Sequence, residues 1–242
     1  MAHGLPDYGV AAPKVTVAGL EDMAELAARL GSPNTFERKG NVLWMDDFND
    51  GIHKWVVELT EDRGSVTWEG NHSRNGGFCA KLTTGDTFED LVRILRRMPI
   101  AAISKMGLEV SFTTHGLLGN VYFELHLYDG VYKHNAAVQW RRADSQWVYT
   151  DADGEDAFLL PLMELTETNF TFHTIKLVAD FTTHYFQYLI ADNTVFDMSA
   201  IPYLYELDDT APCLLVYIHC TNHSEDEVTV YIDDVIVTQN EP

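Results

Sequence analysis

From residue 41 onward, apolar and polar residues alternate along the chain with a period of two. The alternation is clearest over residues 121–128, where the polar positions are Tyr122, Glu124, His126 and Tyr128. This period is typical of a β-strand that buries one face. Similar runs recur at intervals of about eight to twelve residues, separated by turn dipeptides such as Asp129-Gly130. The sequence therefore predicts an all-β protein, an antiparallel sandwich of two sheets.

Residues 1–40 lack this alternation. Leu20, Met23, Ala27 and Leu30 recur at helical spacing, and an irregular arm containing Pro6 and Pro13 precedes them. A short amphipathic helix cannot bury its own apolar stripe. We therefore expect residues 1–40 to form an N-terminal arm with one short helix that docks on the main body or on a neighbouring subunit, and residues 41–242 to form the sandwich.

Residues 88–97 fit two structures. Phe88, Leu91, Val92 and Leu95 have helical spacing, whereas Val92 and Ile94 also alternate with their neighbours as in a strand. Pro99 ends the segment and is compatible with a strand boundary. We favour a strand and keep the helix as the alternative.

The charge of the chain restricts its partners. It has 37 acidic and 16 basic residues, a formal net charge of −21, and a field of this sign repels phosphate backbones and anionic headgroups. No apolar run approaches the roughly 18 residues that span a bilayer, and the first residues lack the pattern of a signal peptide. We expect no nucleic-acid partner, no membrane insertion and no export signal.

Two pairs of adjacent aspartates interrupt apolar strands near the two ends of the predicted sandwich. Asp46 and Asp47 follow the first strand, and at Asp233 and Asp234 the apolar face changes from even-numbered to odd-numbered positions. A β-bulge at the second pair would produce that change. Because first and last strands of a sandwich are often neighbours, the four carboxylates are candidate ligands for a structural Ca²⁺. The alternative is that they cap turns and face water.

Four segments carry a resemblance to a known fold. The motifs "DDFNDGIHKW", "SRNGGFCAKLTTG", "HTIKLVADFTTHYFQYLIADNTVFDM" and "YIDDVIVTQ" resemble concanavalin A-like jelly rolls, a group that includes LamG-type domains and carbohydrate-binding modules. The resemblance covers roughly residues 41–240. It implies a jelly-roll sandwich, and it places the structural calcium of that group on Asp47 and Asp234.

The hydrolases of this group carry the pattern E-x-D-x-x-E on one strand. Glu206-Leu207-Asp208 begins that pattern, but Ala211 stands in place of the second glutamate. The sequence also lacks G-x-S-x-G, H-E-x-x-H and P-loop motifs. We therefore predict that the protein is not an enzyme and regard a divergent glycoside hydrolase or lyase as the least favoured function.

A ligand face, if there is one, lies on the strand side opposite the core. Aromatic rings stack on sugars, while carboxylates and imidazoles bond hydroxyl groups. The candidate glycan residues are Tyr122, Glu124, His126, Tyr128 and Trp140, with Tyr132 and His134 on a neighbouring strand. The alternative is that these aromatics pack inside the sandwich.

The whole chain also resembles uncharacterised jelly-roll proteins encoded in tailed-phage-like metagenomic genomes. This resemblance includes the "HGLPDYG" start, the "GLEDMAELAARLGS" helix and the "VIVTQNEP" end. It implies a non-enzymatic structural or decoration protein of a virion, made in the cytoplasm, carried on the particle surface, and assembled with neighbouring subunits through residues 1–40. The alternative function is a carbohydrate-binding module.

Overall fold

The computed structural model describes residues 40–74, 77–100, 102–114, 119–161, 163–166 and 168–242. The predicted helix near residues 20–30 and the rest of the arm before residue 40 lie outside this part. The described helices are two short 3-10 turns, Thr60–Asp62 and Arg142–Asp144. Neither is long and apolar enough to cross a membrane.

The described strands form two antiparallel sheets of eight strands each. Sheet A contains β1 (Asn41–Asp46), β3 (Ser65–Glu69), β4 (Cys79–Thr83), β6 (Lys105–Thr114), β11 (Thr168–Asp180), β12 (Tyr185–Ala191), β13 (Thr194–Asp197) and β16 (Thr229–Gln239). Sheet B contains β2 (Val56–Leu59), β5 (Leu91–Met98), β7 (Gly119–Tyr128), β8 (Tyr132–Arg141), β9 (Gln146–Thr150), β10 (Asp156–Phe158), β14 (Leu204–Leu207) and β15 (Cys213–Asn222). The predicted sandwich is confirmed, and residues 91–98 are a strand, as we favoured.

The core lies between the sheets and is built from alternate residues of each strand. Phe112 on β6 reaches across to Phe123 on β7, with ring centroids 4.9 Å apart, and to Trp147 on β9 at 6.0 Å. All three side chains are almost fully buried. Because strand side chains alternate, burial of the odd-numbered residues of β7 directs its even-numbered residues to the outer side of sheet B.

The predicted β-bulge is confirmed. The pairing of β16 with β6 shifts between Asp233 and Ile236, and Asp234 has a positive φ of 47°. The first and last strands of the sandwich are also neighbours, since β1 pairs with β16 and Asp46 lies opposite Val235. A change in the parity of the apolar residues was therefore enough to locate an irregularity in one strand.

Candidate functional site

The side of sheet B that faces away from sheet A, here called the open face, gathers polar and aromatic side chains from β7 and β15. Glu124 on β7 lies opposite Tyr217 on β15, and Tyr122 lies opposite His219. His126 is the next outward-facing residue along β7. We call these five residues the central network.

Glu124 connects the two imidazoles of the central network. Its Oε2 lies 2.6 Å from His126 Nε2 and its Oε1 lies 2.9 Å from His219 Nε2. An ionised carboxylate only accepts hydrogen bonds, so each Nε2 must donate. In a neutral imidazole the proton is then fixed on Nε2, and Nδ1 is left as an acceptor. Glu124 therefore sets the tautomer of both rings.

The ionisation of Glu124 follows from these contacts. Burial disfavours the charged form, but hydrogen bonds and electrostatic attraction from the imidazoles of His126 and His219 outweigh burial and hold the pKa of Glu124 well below its ordinary value. The side chain is 14% exposed. A carboxylate that stays charged in this position can hold the two rings rigidly.

Each imidazole lies against a tyrosine ring. The centroid of Tyr122 is 4.2 Å from that of His219, and the centroid of Tyr217 is 4.5 Å from that of His126. The Nδ1 atoms of both histidines are buried, and within the described residues neither has a hydrogen-bond partner. A buried acceptor without a donor costs roughly 1–3 kcal/mol. The central network therefore contains two Nδ1 acceptors whose hydrogen bonds are not made.

A cation lies beside the central network. The guanidinium of Arg93 on β5 is 4.8 Å from the centroid of the Tyr217 ring, and its Nε donates to Glu58 on β2 at 3.0 Å. Burial raises the pKa of Tyr217; the charge of Tyr128 acts in the same direction and that of Arg93 opposes it. The Tyr217 hydroxyl is therefore a neutral donor at physiological pH.

The structure brings together part of the predicted glycan set. Tyr122, Glu124 and His126 share the open face, and Tyr128 follows at the end of β7, opposite Cys213. Trp140 does not join them, so its placement on this face is corrected: it pairs with Val121, is only 2% exposed, and packs 5.4 Å from Trp147 in the core. His134 likewise pairs with Leu127 and points to the inner side.

Sequence reasoning missed Tyr217, His219 and Arg93. Residues 213–220 were correctly read as a strand, and Tyr217 and His219 share a parity there as Tyr122 and Glu124 do on β7. The missing information was that β15, about ninety residues later in the chain, lies beside β7. Strand order in a sandwich depends on long-range pairing, which alternation alone does not specify.

Around the four aspartates predicted to bind Ca²⁺, other groups of the protein already contact the carboxylate oxygens. Asp46 Oδ1 accepts from Lys54 Nζ at 2.9 Å and its Oδ2 accepts from Trp55 Nε1 at 2.9 Å. Asp47 accepts from the backbone and side chain of Asn49. Among the described residues there is no group of three His, Cys, Asp or Glu side chains that could hold a metal. Basic and amide groups occupy the oxygens that a cation would need.

Asp233 and Asp234 are buried beside a basic residue. The backbone N–H of Arg74 donates to Asp233 Oδ2 at 2.9 Å, and Arg74 Nη1 lies 3.6 Å from Asp234 Oδ2. Burial, followed by the charges of Asp234 and Asp47, raises the pKa of Asp233 to about 7. The alternative prediction was that the four aspartates cap turns and face water. Only Asp47 is compatible with it, since Asp46, Asp233 and Asp234 are each 2% exposed.

We predict that Asp46→Asn destabilises the protein by roughly 1.5–3 kcal/mol, whether or not calcium is present. The carboxylate of Asp46 is fully buried and holds both Lys54 and the Trp55 indole. Asp50→Asn is the matched control, because Asp50 contacts the same lysine but is 75% exposed. Chemical denaturation, carried out once with calcium and once with a chelator, measures the free energy of unfolding of both variants. A calcium-dependent loss would restore the metal hypothesis.

Comparisons with known proteins agree with the fold. No family model and no curated protein matches the sequence. The structure is similar to an endo-β-1,4-glucuronan lyase from the fungus Trichoderma reesei, with a TM-score of 0.59, 10% identity, and coverage of 83% of this chain and 96% of that one. It is similar to alginate lyase vAL-1 from Chlorella virus, with a TM-score of 0.53, 11% identity, and coverage of 82% of this chain and 100% of that one. It is also similar to the potassium-bound carbohydrate recognition domain of Emp46p, with a TM-score of 0.51, 12% identity, and coverage of 81% of this chain and 94% of that one.

These neighbours confirm a concanavalin A-like jelly roll and correct one prediction. We expected a non-enzyme because E-x-D-x-x-E is missing. Two of the similar structures are lyases, so the absence of that pattern excludes one type of hydrolase and leaves other catalysis on this fold open. Identities of 10–12% show the fold alone. No finding supports a virion role.

Proposed function

We propose that the open face of sheet B binds an acidic polysaccharide through the central network. The observation that carries this proposal is the Glu124 carboxylate holding His126 and His219 against the rings of Tyr217 and Tyr122. Tyrosine rings supply apolar surface for a sugar ring, and the hydroxyl groups of Tyr122 and Tyr217 can donate to and accept from sugar hydroxyls.

The open face is the part of the surface on which an acidic ligand meets the least electrostatic repulsion. The strand register places four basic residues (Arg93, Arg97, Lys133 and Arg141) and four acidic residues (Glu58, Glu124, Asp156 and Glu206) on this face. The whole chain has 16 basic and 37 acidic residues. This face therefore carries no net charge while the rest of the protein repels anions, so an acidic ligand meets less repulsion here than on other surfaces.

The structural neighbours are consistent with this ligand class. Glucuronan and alginate, the polymers named for the two lyases, are both chains of uronic acids. Emp46p adds a carbohydrate recognition domain of the same fold. The neighbours support a carbohydrate ligand for the fold, and the choice of an acidic one rests on the residues of this chain.

Tyr217→Ala is expected to weaken the binding of glucuronan and alginate oligosaccharides by about tenfold or more, since removal of a central aromatic anchor costs roughly 2 kcal/mol. Tyr185→Ala is the control, because Tyr185 is a 40% exposed tyrosine on sheet A. Titration calorimetry measures the affinities of both variants, and cello-oligosaccharides serve as uncharged ligands for comparison. Equal affinities for Tyr217→Ala and wild type would refute the site.

Cleavage of the bound polymer by β-elimination is a second candidate function. The fixed tautomers favour it, because a carboxylate that orients an imidazole is the arrangement used for proton transfer. In this reaction a base takes the proton from C5 of a uronate, the electron pair forms the C4=C5 double bond, and the C4–O4 bond breaks as O4 takes a proton from an acid. The neutral Tyr217 hydroxyl is suited to the role of the acid, and His219 can act as the base only through its Nδ1, which must first become accessible because it is buried.

Assembly of the protein through residues 1–40 stays a prediction. These residues precede β1, and all but Gly40 lie outside the described part of the chain. Location on a virion or other particle also stays a prediction. Neither hypothesis conflicts with glycan binding, because the central network is built from strands of sheet B alone.

A further inference from the structure

The open face continues beyond the central network to β10, the edge strand of sheet B. Asn120 Nδ2 lies 3.2 Å from both the Tyr122 hydroxyl and Gln139 Oε1. Gln139 Nε2 in turn donates to Asp156 Oδ2 at 2.8 Å. Hydrogen bonds thus connect the central network on β7, across β8, to the edge strand.

An exposed aromatic side chain marks the end of this connection. Phe158 on β10 is 48% exposed and lies opposite the fully buried Val148 of β9. Arg141 places its guanidinium carbon 5.5 Å from the Phe158 ring centroid and pairs with Asp156 at 2.5 Å. The Asp156 side chain is 40% exposed. An apolar ring is therefore presented next to charged groups that solvent or a ligand can reach.

The register shows that these residues form one row across the sheet. Tyr122 lies opposite Gln139, Gln139 opposite Val148, and Val148 opposite Phe158. Strands lie about 4.8 Å apart, so the three spacings from β7 to β10 separate the ends of the row by roughly 14 Å. A sugar chain long enough to span this distance would reach from the central network to Phe158, passing over Gln139 and Val148, which are buried.

We propose that Phe158, Arg141 and Asp156 form a distal subsite for a further pyranose unit of the same polysaccharide. The sugar ring stacks on Phe158, and its hydroxyl groups bond the Asp156 carboxylate and the Arg141 guanidinium. This inference rests on the proposed function, because the distal subsite acts only on a chain already held at the central network. It predicts that affinity increases with chain length until the chain covers both positions.

The test compares Phe158→Ala with wild type on glucuronan and alginate oligosaccharides of two lengths, disaccharide and hexasaccharide, by titration calorimetry. We expect the affinity for the hexasaccharide to fall about tenfold and the affinity for the disaccharide to stay unchanged. Phe158→Tyr, which keeps an aromatic ring, should retain the wild-type affinity. Phe170→Ala is the control, because Phe170 is a 75% exposed phenylalanine on sheet A.

The outcomes separate this inference from the proposed function. If Phe158→Ala binds the hexasaccharide as wild type does while Tyr217→Ala does not, the distal subsite is refuted and the central site stands. Equal losses on both lengths would also refute a distal role. If wild type binds neither oligosaccharide, the proposed function and the distal subsite fail together.

Discussion

Glu124→Gln should weaken the binding of acidic oligosaccharides by roughly tenfold to a hundredfold, because disrupting hydrogen bonds to a buried charged group costs about 1.5–3 kcal/mol. In wild type the carboxylate accepts a hydrogen bond from His126 and from His219. A glutamine amide accepts through its oxygen only, and its nitrogen would face the second Nε2–H. One imidazole must then give up its contact or move its proton to Nδ1.

The measurement combines titration calorimetry with a stability profile against pH. The lowered pKa of Glu124 means that its contribution to the free energy of unfolding is complete above the ordinary value of 4.5 and is lost as the pH falls below it. The free energy of unfolding of the Glu124→Gln variant should therefore not show the part of the decrease at low pH that Glu124 causes in wild type. Glu206→Gln is the control, since it removes the same charge from β14, where the side chain is 54% exposed.

If the protein also cleaves its ligand, the same substitution has a larger effect on turnover. Proton transfer by a positioned group contributes roughly 10²–10⁴-fold to a rate, and Glu124→Gln changes the tautomer on which that transfer depends. The ultraviolet absorbance of the unsaturated product reports the reaction directly. Full affinity and an unaltered pH profile in a folded Glu124→Gln protein would show that Glu124 has no part in the site.

Alternation in the sequence was sufficient to predict an antiparallel sandwich, since each strand reports locally which of its faces is buried. It even located the bulge, because an extra residue in one strand changes the parity of every residue after it. It did not give the order of the strands. Tyr122, Glu124 and His126 were found because they lie on one strand, whereas His219 reaches them through the pairing of β15 with β7.

The error at Trp140 has a related cause. Odd-numbered and even-numbered residues lie on opposite sides of a strand. Only the register between two neighbouring strands shows which positions of one strand share a side with which positions of the other. Tyr122 pairs with Gln139, so the even-numbered residues of β7 share a face with the odd-numbered residues of β8. Counting even positions on both strands therefore placed Trp140 on the wrong face.

The calcium prediction finds no support among the described residues, and the reason is chemical. The pattern of paired aspartates was read without the residues that neutralise them. Lys54 and Trp55 follow Asp46 by eight and nine positions and turn back onto it, and Arg74 reaches Asp234 from a distant loop. Carboxylates in a turn need cations or donors, and a sequence does not state whether a metal or a lysine supplies them.

Lys176→Met should cost about 3–5 kcal/mol of stability, the expected loss when one partner of a buried ion pair is removed. Lys176 is fully buried on β11, with its Nζ 2.8 Å from Glu241 Oε1 and 3.4 Å from Glu109 Oε1. The negative charge there is also felt by Tyr188, whose pKa is raised by burial and by Glu241 and Glu109. Methionine fills a similar volume but leaves both carboxylates without this cation.

Lys133→Met is the matched control for Lys176→Met, because Lys133 pairs with Glu206 at 3.2 Å but both side chains reach solvent. An exposed pair contributes about 0–1 kcal/mol, so urea denaturation should separate the two variants by several kcal/mol. Glu241→Gln in the Lys176→Met background should recover part of the lost stability, because it removes one of the two carboxylates left without the lysine. Equal stabilities of the two lysine variants would mean that the Lys176 pair gives the fold no more than a surface ion pair does.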